Sequence, residues 1–369
     1  MAAPLTTTPR ADGFAMPPEW AAQAGCWMAW PERPDNWRLQ ALPAQAAFAT
    51  VANTIAEYEP VTMCVSAAQA AHARALLSPG VQVAVIPTND AWMRDIGPTF
   101  VQNPAGALRA VDWIFNAWGG HHGGLYCPWD DDDRAASKIA ALVGVDRYRA
   151  PFVLEGGAIH VDGEGTCLTT EQCLLNANRN PALTRDQIEA GLRAYLGVER
   201  IVWLGEGVYL DETDGHVDNL CCFLRPGVVA LTWCEDPADP QHAISKDALA
   251  RLACSTDARG RPLEVIKLPG PATPLTMTDI ESAGITPHDG VQARVTGARL
   301  AASYVNFLIV NDALIVPAFG DPADAVAREI LATQFPARQV RQVPGREILL
   351  GGGNIHCITQ QQPLGRHSL

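Results

Sequence analysis

The sequence predicts an α/β protein in which a ββαβ unit recurs about five times along the chain. Three observations carry this prediction. Runs rich in β-branched and aromatic residues alternate with helical patterns, a further β-rich run closes each unit, and a polar motif follows that closing run. Repetition of this kind is typical of a propeller or a stacked array. The alternative is an ordinary α/β sheet.

The five units follow one another with the same order of elements. By residue number they comprise 61–65, 67–77 and 81–87; then 135–144 and 147–154; then 157–161, 166–170, 184–197 and 200–204; then NLCCFL, GVVALTW, a helix at 240–253 and 263–269; then SYVNFLIV, ALIVPAF, 321–335 and 338–343. The chemically unusual residues follow the closing strands: Asp95, Glu155, His216 and Cys357. A radial repeat brings such strand ends together near one axis, which a doubly wound sheet does not do.

Length and composition suit one large repeat-built domain. The chain has 369 residues, of which 48 % are hydrophobic and 18 % charged, enough for a sizeable core. We expect a single catalytic domain over residues 1–369, with flexible ends at 1–15 and 362–369.

The net charge of the chain indicates which kinds of partner it can bind. A net charge of −13 argues against a nucleic-acid binder and suits a small cationic substrate. No run of about 18 apolar residues and no apolar leader is visible, which predicts a cytoplasmic protein without membrane contact. The ten cysteines form no CxxC pair and no zinc spacing, as expected of buried thiols in a reducing compartment.

Several common catalytic signatures are missing, including the P-loop, HExxH and GxSxG patterns. The glycine-rich run 118–124 is interpreted as a flexible loop, and its His121–His122 pair lacks a third metal ligand at a sensible spacing. The acidic run Asp130–Asp133 is interpreted as capping the helix that follows it. We therefore predict no metal site.

Cys357 differs from the other cysteines because it follows three glycines, Gly351–Gly353, and Asn354. Such a turn lets the backbone approach a ligand closely. A thiol there, near a histidine and acids, is a candidate nucleophile, and a structural thiol is the alternative. In an extended segment His356 points to the opposite face, so it is a poor partner for Cys357.

Three further motifs carry acids or a histidine. His216 and Asp218 are two residues apart, so on a strand they project to one face. Asp95 lies in a polar loop after Trp92, and Glu155 directly follows an apolar strand. Each motif has a structural alternative, namely a surface pair or an acid that caps a turn.

Together these residue types suit the chemistry of a guanidine. Carboxylates match the planar donor fork of a guanidinium. A thiolate that is held in line attacks the central carbon, and a histidine protonates the departing ammonia.

At these residues the sequence resembles the agmatine deiminases, within the guanidine-modifying superfamily that includes arginine and peptidylarginine deiminases. The resemblance runs nearly end to end, through MPPEW, AWMRDIGPTF, LEGGAIHVDGEGTCLTTEQCLLNANRNP, YLDETDGHVDNLCCFLRPGVVALTW, AASYVNFLIVN and LGGGNIHCITQQQP. It implies a five-bladed ββαβ propeller with one central active site, no metal and no organic cofactor. It also implies a homodimer or a larger homo-oligomer.

The resemblance assigns a role to seven residues. It implies that Cys357 is the nucleophile, His216 the general acid–base, Asp95 and Asp218 the guanidinium-binding carboxylates, Glu155 an acid that contacts substrate and orients the histidine, Glu212 a residue near the distal amine, and Trp92 part of the entrance. The implied reaction converts agmatine and water to N-carbamoylputrescine and ammonia, a step of polyamine synthesis.

Three other functions fit parts of the same pattern. A deiminase of arginine or peptidyl-arginine uses the same chemistry, but the acids around Glu212 favour a bare amine over an α-carboxylate. An amidinotransferase hands the amidino group to an amine instead of water. A binding module for a cationic ligand has no need of Cys357.

Overall fold

A computed structural model describes residues 3–365, and five small sheets organise this part of the chain. The strands, in chain order, are β1 (Gln23–Ala29), β2 (Val61–Val65), β3 (Val81–Val85), β4 (Thr99–Gln102), β5 (Leu108–Ile114), β6 (Arg147–Val153), β7 (His160–Val161), β8 (Thr166–Thr170), β9 (Arg200–Leu204), β10 (Cys221–Arg225), β11 (Val228–Trp233), β12 (Glu264–Pro269), β13 (Leu308–Ile309), β14 (Ala313–Ala318), β15 (Gln339–Pro344) and β16 (Thr359–Pro363).

Helices connect the strands within and between the sheets. They are α1 (Leu42–Ile55), α2 (Ala70–Leu76), α3 (Met93–Ile96), α4 (Gly120–Gly123), α5 (Ala135–Val143), α6 (Glu171–Leu174), α7 (Arg185–Leu196), α8 (Val217–Leu220), α9 (Pro240–Ala253), α10 (Asp279–Ala283), α11 (Ala323–Gln334) and α12 (Arg346–Leu350). The helices predicted at 135–144, 184–197, 240–253 and 321–335 are confirmed as α5, α7, α9 and α11.

Local sequence explains where these helices start and stop. The side chain of Thr184 accepts a hydrogen bond from the backbone N–H of Gln187, whose side chain bonds back to Thr184, so a capping box starts α7. Gly197 ends the helix in the left-handed conformation, at φ 71°.

Four of the sheets are complete ββαβ units. In each, an antiparallel pair is followed by a helix and then by a strand parallel to the second one, in the orders β4-β5-β6, β7-β8-β9, β10-β11-β12 and β13-β14-β15. The helix is required because parallel neighbours need a long crossover. The predicted fold class, an α/β protein of five ββαβ blades, is confirmed.

The first blade is closed by the end of the chain. Its order is β16-β1-β2-β3, with β16 antiparallel to β1. The sequence analysis placed only β2, α2 and β3 in this blade, so β1 and α1 were missed. Gly25 interrupts β1 at an irregularity in its pairing with β16, which weakens the strand pattern. The closure brings the segment before β16, including Cys357, against the first blade.

Two predicted strands are much shorter than expected. In the segment 157–161 only β7 is extended, because Gly156–Ala158 form a 3₁₀ turn. In SYVNFLIV only β13 is a strand. The residues before both strands turn inward instead, and their polar groups bond to the site described below.

Described residues near both ends of the chain contact the blades. The N–H of Leu5 donates to the carbonyl of Arg147, and Ala15 pairs with Gln102 as an isolated bridge. At the other end, Gln362 lies in β16 and accepts a hydrogen bond from the indole of Trp27. Residues 1–2 and 366–369 lie outside the described part of the chain.

The acidic run does not cap α5 as predicted. The residue that precedes α5 is Arg134, and no side chain caps the helix. Asp132 instead accepts hydrogen bonds from the backbone N–H groups of Asn89 and Asp90. Asp133 pairs with Arg149 at 2.8 Å. Asp132 therefore holds the loop that leads to Trp92, and Asp133 holds β6.

The largest core cluster lies in the first blade and reaches the site. Trp37, Phe48 and Met63 are buried in it, and it continues to Trp92 and Cys357. The ten cysteines are all free thiols, and Cys64, Cys221 and Cys222 are buried as predicted. Within residues 3–365 no helix has the length and apolar character needed to cross a membrane.

Candidate active site

Segments from all five blades meet around one cavity. Asp95 follows β3, Glu155 follows β6, His216 follows β9 and Cys357 follows β15. The connection from β12 of the fourth blade to β13 of the fifth contributes Asn306, whose Oδ1 lies 3.4 Å from the Cys357 Sγ. The strand ends singled out in the sequence therefore lie together in space.

The cavity holds about 450 Å³ of space, its open mouth included. Of the sequence-predicted site residues, four line it: Trp92, Asp95, Glu212 and Cys357. The other three are almost completely buried against these: Glu155, His216 and Asp218.

Cys357 presents a buried thiol to the cavity. Its side chain is 6 % exposed, and its Sγ lies 3.8 Å from Asp218 Oδ2. Burial, together with the negative charges of Asp218 and Asp95, raises the pKa of the Cys357 thiol well above its usual range. Without a cation in the cavity, Cys357 is therefore a neutral thiol.

His216 lies between two carboxylates. Its Nδ1 is 3.7 Å from Asp95 Oδ2, and its Nε2 is 3.7 Å from Glu155 Oε2. Burial disfavours the charged ring, but the Asp95 carboxylate, the Cys173 thiol and the Glu155 carboxylate outweigh it. They raise the pKa of His216 well above its usual value. The resting His216 is an imidazolium that can give up a proton.

Asp95 is oriented by two donors. The indole N–H of Trp118 donates to Oδ2 and the backbone N–H of Gly157 to Oδ1, both at 2.9 Å. Burial raises the pKa of Asp95 to about 6; His216 opposes this rise, and Asp218 and Glu155 add to it. Trp118 lies in the glycine-rich run that was interpreted as a plain loop, so the sequence analysis missed its contact.

Glu155 is paired with a buried arginine that the sequence analysis did not single out. Arg179 Nε lies 2.7 Å from Glu155 Oε1, and both side chains are fully buried. Burial alone raises the pKa of Glu155, but the charges of Arg179 and His216 bring it down to about 2. Arg179 lies in the run NANRNP, and its role is recognised only from its contact with Glu155 in the folded protein.

His216 and Asp218 do not lie on a strand, as the sequence analysis assumed. His216 immediately precedes the four-residue helix α8, and Asp218 lies in that helix. Both side chains nevertheless face the site, because the helix begins at the cavity. Asp218 Oδ2 accepts a hydrogen bond from His356 Nδ1 at 2.8 Å, which makes His356 a partner of Asp218.

Glu212 has a cationic neighbour that the acid-rich sequence around it conceals. Arg294 pairs with Glu212 Oε1 and also donates to the Gly351 carbonyl at 2.6 Å. Arg294 lies in the long, mostly irregular connection between β12 and β13, where no sequence pattern marks it. This end of the cavity is therefore lined by a cation as well as by Glu212.

The glycine run makes room for side chains around Cys357. A Cβ at Gly353 would lie 2.5 Å from the Trp92 ring and 3.1 Å from the Cys357 Cβ. Trp92 is held in place by Asp90, which accepts a hydrogen bond from its indole N–H at 3.2 Å. Glycine at position 353 therefore allows Trp92 to pack beside the thiol.

Four buried polar atoms of the sequence-predicted site residues have no hydrogen-bond partner among residues 3–365. They are Glu155 Oε2, Glu212 Oε2, His216 Nε2 and Asp218 Oδ1. An unpartnered buried polar atom is costly, so this concentration points to a polar ligand. Three of the four atoms are carboxylate oxygens, which accept hydrogen bonds from a cationic donor.

Two groups of described residues have the composition of metal ligands. They are Glu19, His160 and His356, and Glu155, Cys173 and His216. In each group an arginine already pairs with the carboxylate, Arg94 with Glu19 at 3.4 Å and Arg179 with Glu155 at 2.7 Å. A metal ion would be repelled by these guanidinium groups, so we assign a metal to neither group. His121 and His122 lie exposed on α4, away from the cavity lining.

Comparison with known proteins places this arrangement in a family. The sequence profile of the Porphyromonas-type peptidyl-arginine deiminases matches residues 15–363. The agmatine deiminase of Ectopseudomonas mendocina is 58 % identical over 361 residues, 97 % of this chain and 98 % of that protein. The chain belongs to the agmatine deiminase family. The resemblance stated from the sequence is thereby confirmed.

Solved structures of the family have the same fold. The Enterococcus faecalis agmatine deiminase superposes with a TM-score of 0.96 at 48 % identity, over 98 % of this chain and 100 % of that one. The Campylobacter jejuni agmatine deiminase with substrate bound gives 0.82 at 27 % identity, over 95 % and 97 %.

Proposed function

We propose that this protein hydrolyses agmatine to N-carbamoylputrescine and ammonia through an amidino-cysteine intermediate on Cys357. The observation that carries the proposal is the buried thiol of Cys357 beside carboxylates whose unpartnered oxygens face inward. Relatives named agmatine deiminase, which match nearly the whole chain, support the choice of substrate.

Recognition begins with the guanidinium. Asp95 and Asp218 bind its N–H groups, because a planar donor fork suits carboxylates at its edge. The bound cation offsets the negative charges that hold the Cys357 thiol protonated. The thiol then loses its proton to solvent, and the thiolate forms beside the central carbon.

In the first half-reaction the thiolate attacks that carbon and a neutral tetrahedral adduct forms. The His216 imidazolium donates its proton to one terminal nitrogen, the C–N bond breaks and ammonia leaves. A cationic thiouronium remains on Cys357, and His216 is left neutral.

In the second half-reaction His216 takes a proton from water and hydroxide attacks the thiouronium carbon. The C–S bond then breaks as the carbonyl forms, and the hydroxyl proton of the adduct passes to the leaving sulfur, which releases the ureido product and regenerates the Cys357 thiol beside an imidazolium at His216. Glu155, fixed by Arg179, keeps His216 oriented through both steps.

The distal end of the cavity supports a bare amine. Glu212 Oε1 is occupied by Arg294, but Oε2 is buried and unpartnered among the described residues. This oxygen accepts a hydrogen bond from the terminal ammonium of agmatine. The second candidate function is hydrolysis of free arginine, and Arg294 is the observation that favours it, because an α-carboxylate needs a cation here.

A substrate panel tests the proposal. Ammonia and ureido-product release is measured from agmatine, arginine and a peptidyl-arginine with wild type and with Cys357→Ala. We expect release from agmatine alone, abolished in the variant. Release from arginine would keep the mechanism and overturn the role of Glu212, whereas no hydrolysis of any substrate would refute the proposal and favour amidino transfer or simple binding.

Loss of the general acid–base group tests the role of His216. We expect His216→Ala to lower kcat for agmatine by about 10²–10⁴, the scale of losing such a group. His288→Ala, at an exposed histidine, is the control and keeps the wild-type rate. A loss smaller than about tenfold in His216→Ala would remove His216 from this role.

The pH dependence of kcat/KM tests Asp95. Asp95 must be ionised to bind the guanidinium, and the pKa of Asp95 is raised to about 6. We therefore expect kcat/KM to fall as the pH drops through about 6. Asp95→Asn should cost about 2–3 kcal/mol of transition-state stabilisation at neutral pH and remove this acid limb. Steady-state kinetics between about pH 5 and 9 check both, and an unchanged profile in Asp95→Asn would exclude the assignment.

The remaining expectations belong to the same proposal. The protein acts in the cytoplasm in putrescine and polyamine synthesis, as a single catalytic domain, and assembles as a homodimer or larger homo-oligomer. The ten free thiols are in keeping with a reducing compartment. Light scattering after size exclusion measures the oligomer.

A further inference from the structure

A buried row of alternating charges lies behind Asp218. Asp218 Oδ2 is 2.8 Å from His356 Nδ1, His356 Nε2 is 2.8 Å from Glu19 Oε1, and Glu19 Oε1 is 3.4 Å from Arg94. The four side chains are each at most 4 % exposed. The proposed reaction uses only Asp218 among them.

The two contacts of His356 fix its protonation state. Both ring nitrogens face a carboxylate oxygen at hydrogen-bond distance, and a neutral imidazole has only one N–H to donate. Burial and Arg94 disfavour a charged ring, but Glu19 and Asp218 outweigh them, so the pKa of His356 is raised above its usual value. His356 is therefore an imidazolium that donates to both carboxylates.

This imidazolium determines which oxygen of Asp218 is free. Oδ2 is occupied by His356, whereas Oδ1 is buried and has no partner among residues 3–365. Because His356 holds Oδ2, the carboxylate plane cannot rotate freely, and Oδ1 keeps one direction.

Other charged or titratable groups also face this row. His216 lowers the pKa of Asp218. Asp218 in turn raises the pKa values of Asp95 and of the Cys357 and Cys222 thiols. His160 Nε2 lies 3.7 Å from Glu19 Oε2. Asp95 and Asp218 repel each other, so an ionised Asp218 requires a cation on the side away from the cavity. His356 is the group in hydrogen-bond contact that supplies it.

We propose that His356 is a positioning residue for the reaction, an imidazolium anchored by Glu19 that keeps Asp218 ionised with Oδ1 directed at the substrate guanidinium. This inference rests on the proposed function for the identity of the group that Oδ1 binds. It gives Glu19, in the N-terminal segment before β1, a role at a site formed far along the chain.

The geometry offers a matched set of variants. In His356→Asn the side-chain amide replaces the Nδ1 donor to Asp218, in His356→Gln it replaces the Nε2 donor to Glu19, and His356→Phe removes both. His160→Asn changes the other histidine beside Glu19, which has no hydrogen bond to Asp218, and serves as the control. Melting temperatures of all four variants report on folding.

We expect His356→Phe and His356→Gln to lower kcat/KM for agmatine by about 10²-fold, the scale of breaking a buried ion pair. We also expect the acid limb of the kcat/KM pH profile to move to higher pH in both variants. We expect His356→Asn to recover about tenfold over His356→Phe, because its amide still holds Oδ2. His160→Asn keeps the wild-type profile. Equal losses in His356→Asn and His356→Phe, or an acid limb that does not move in His356→Phe, would overturn the inference.

A measurement without substrate separates this inference from the proposed function. In ¹⁵N-histidine-labelled protein, the His356 ring is assigned by its disappearance in His356→Gln. We expect both of its nitrogens to be protonated at about pH 7, where an ordinary histidine with a pKa of about 6.5 is mostly neutral. A neutral ring at about pH 7 would overturn the inference even in an active enzyme. Conversely, a wild type that does not hydrolyse agmatine would refute the proposed function whatever the state of His356.

Discussion

Replacing Cys357 by alanine should abolish ammonia release from agmatine, with a fall in kcat of about 10⁴-fold or more. The variant lacks the only sulfur among the described residues that lines the cavity, so no covalent intermediate forms. Asp95, Asp218 and Glu212 remain, and the variant should still bind agmatine. Ammonia assays and calorimetric titration measure the two properties separately.

The matched control is the other thiol close to the reaction centre. Cys173 is buried near His216 and Glu155 but does not line the cavity. We expect Cys173→Ala to keep a rate within about tenfold of wild type. If Cys173→Ala were inactive and Cys357→Ala active, the nucleophile would be wrongly assigned.

Gly157→Ala should be nearly as damaging, although it adds a single methyl group. A Cβ at this position would lie 2.5 Å from His216 Nδ1 and 3.0 Å from both Asp218 Oδ2 and Asp95 Oδ1. These atoms belong to the three side chains whose arrangement the proposed reaction needs, so the side chains must move apart. A displacement of about 1 Å can cost about 10²-fold, and we expect kcat/KM to fall at least that far.

Gly270→Ala is the control for the effect of replacing a glycine by alanine. A Cβ at Gly270 meets no atom within 4 Å, and its backbone is not in the left-handed region. We expect wild-type kinetics and melting temperature in this variant. Wild-type kcat/KM in Gly157→Ala would contradict the packing of these three side chains around the glycine.

The same site explains how several acids are held together in a buried space. Glu155 has Arg179 behind it, Asp218 has His356, and Glu212 has Arg294. Buried carboxylates without such partners would take up protons and lose their affinity for a cation. Asp95 has no cation behind it, only neutral donors and His216, and burial raises its pKa to about 6. The pKa of Glu212 is also raised, because burial outweighs the charge of Arg294.

The repeat itself was readable from the sequence because each blade carries its own local pattern. The helices α7 and α9 lie where their apolar spacing and caps place them. The closure of the ring was not readable, because β1 pairs with β16 from the opposite end of the chain. No local pattern reports a partner more than 300 residues away in the sequence.

The residues to which the proposal gives direct contact with substrate were singled out in the sequence, whereas those that support them were not. Cys357, His216 and Asp95 lie in polar motifs that interrupt apolar runs, and such interruptions can be recognised from the sequence alone. Arg179 and Asn306 act only through side chains that the fold brings beside them. His356 was dismissed because it faces away from Cys357, and the reason for its orientation, Asp218, appeared only in the structure.

The most direct test of the central claim is the mass of the enzyme stopped with acid during turnover of agmatine. We expect the peptide carrying Cys357 to gain the mass of agmatine less ammonia, because the nitrogen that leaves first is a terminal one. In Cys357→Ala this gain is absent. A bare amidino group on Cys357 would mean that the substituted amine leaves first, as in an amidinotransferase, and an unmodified Cys357 in an enzyme that still turns over would contradict covalent catalysis.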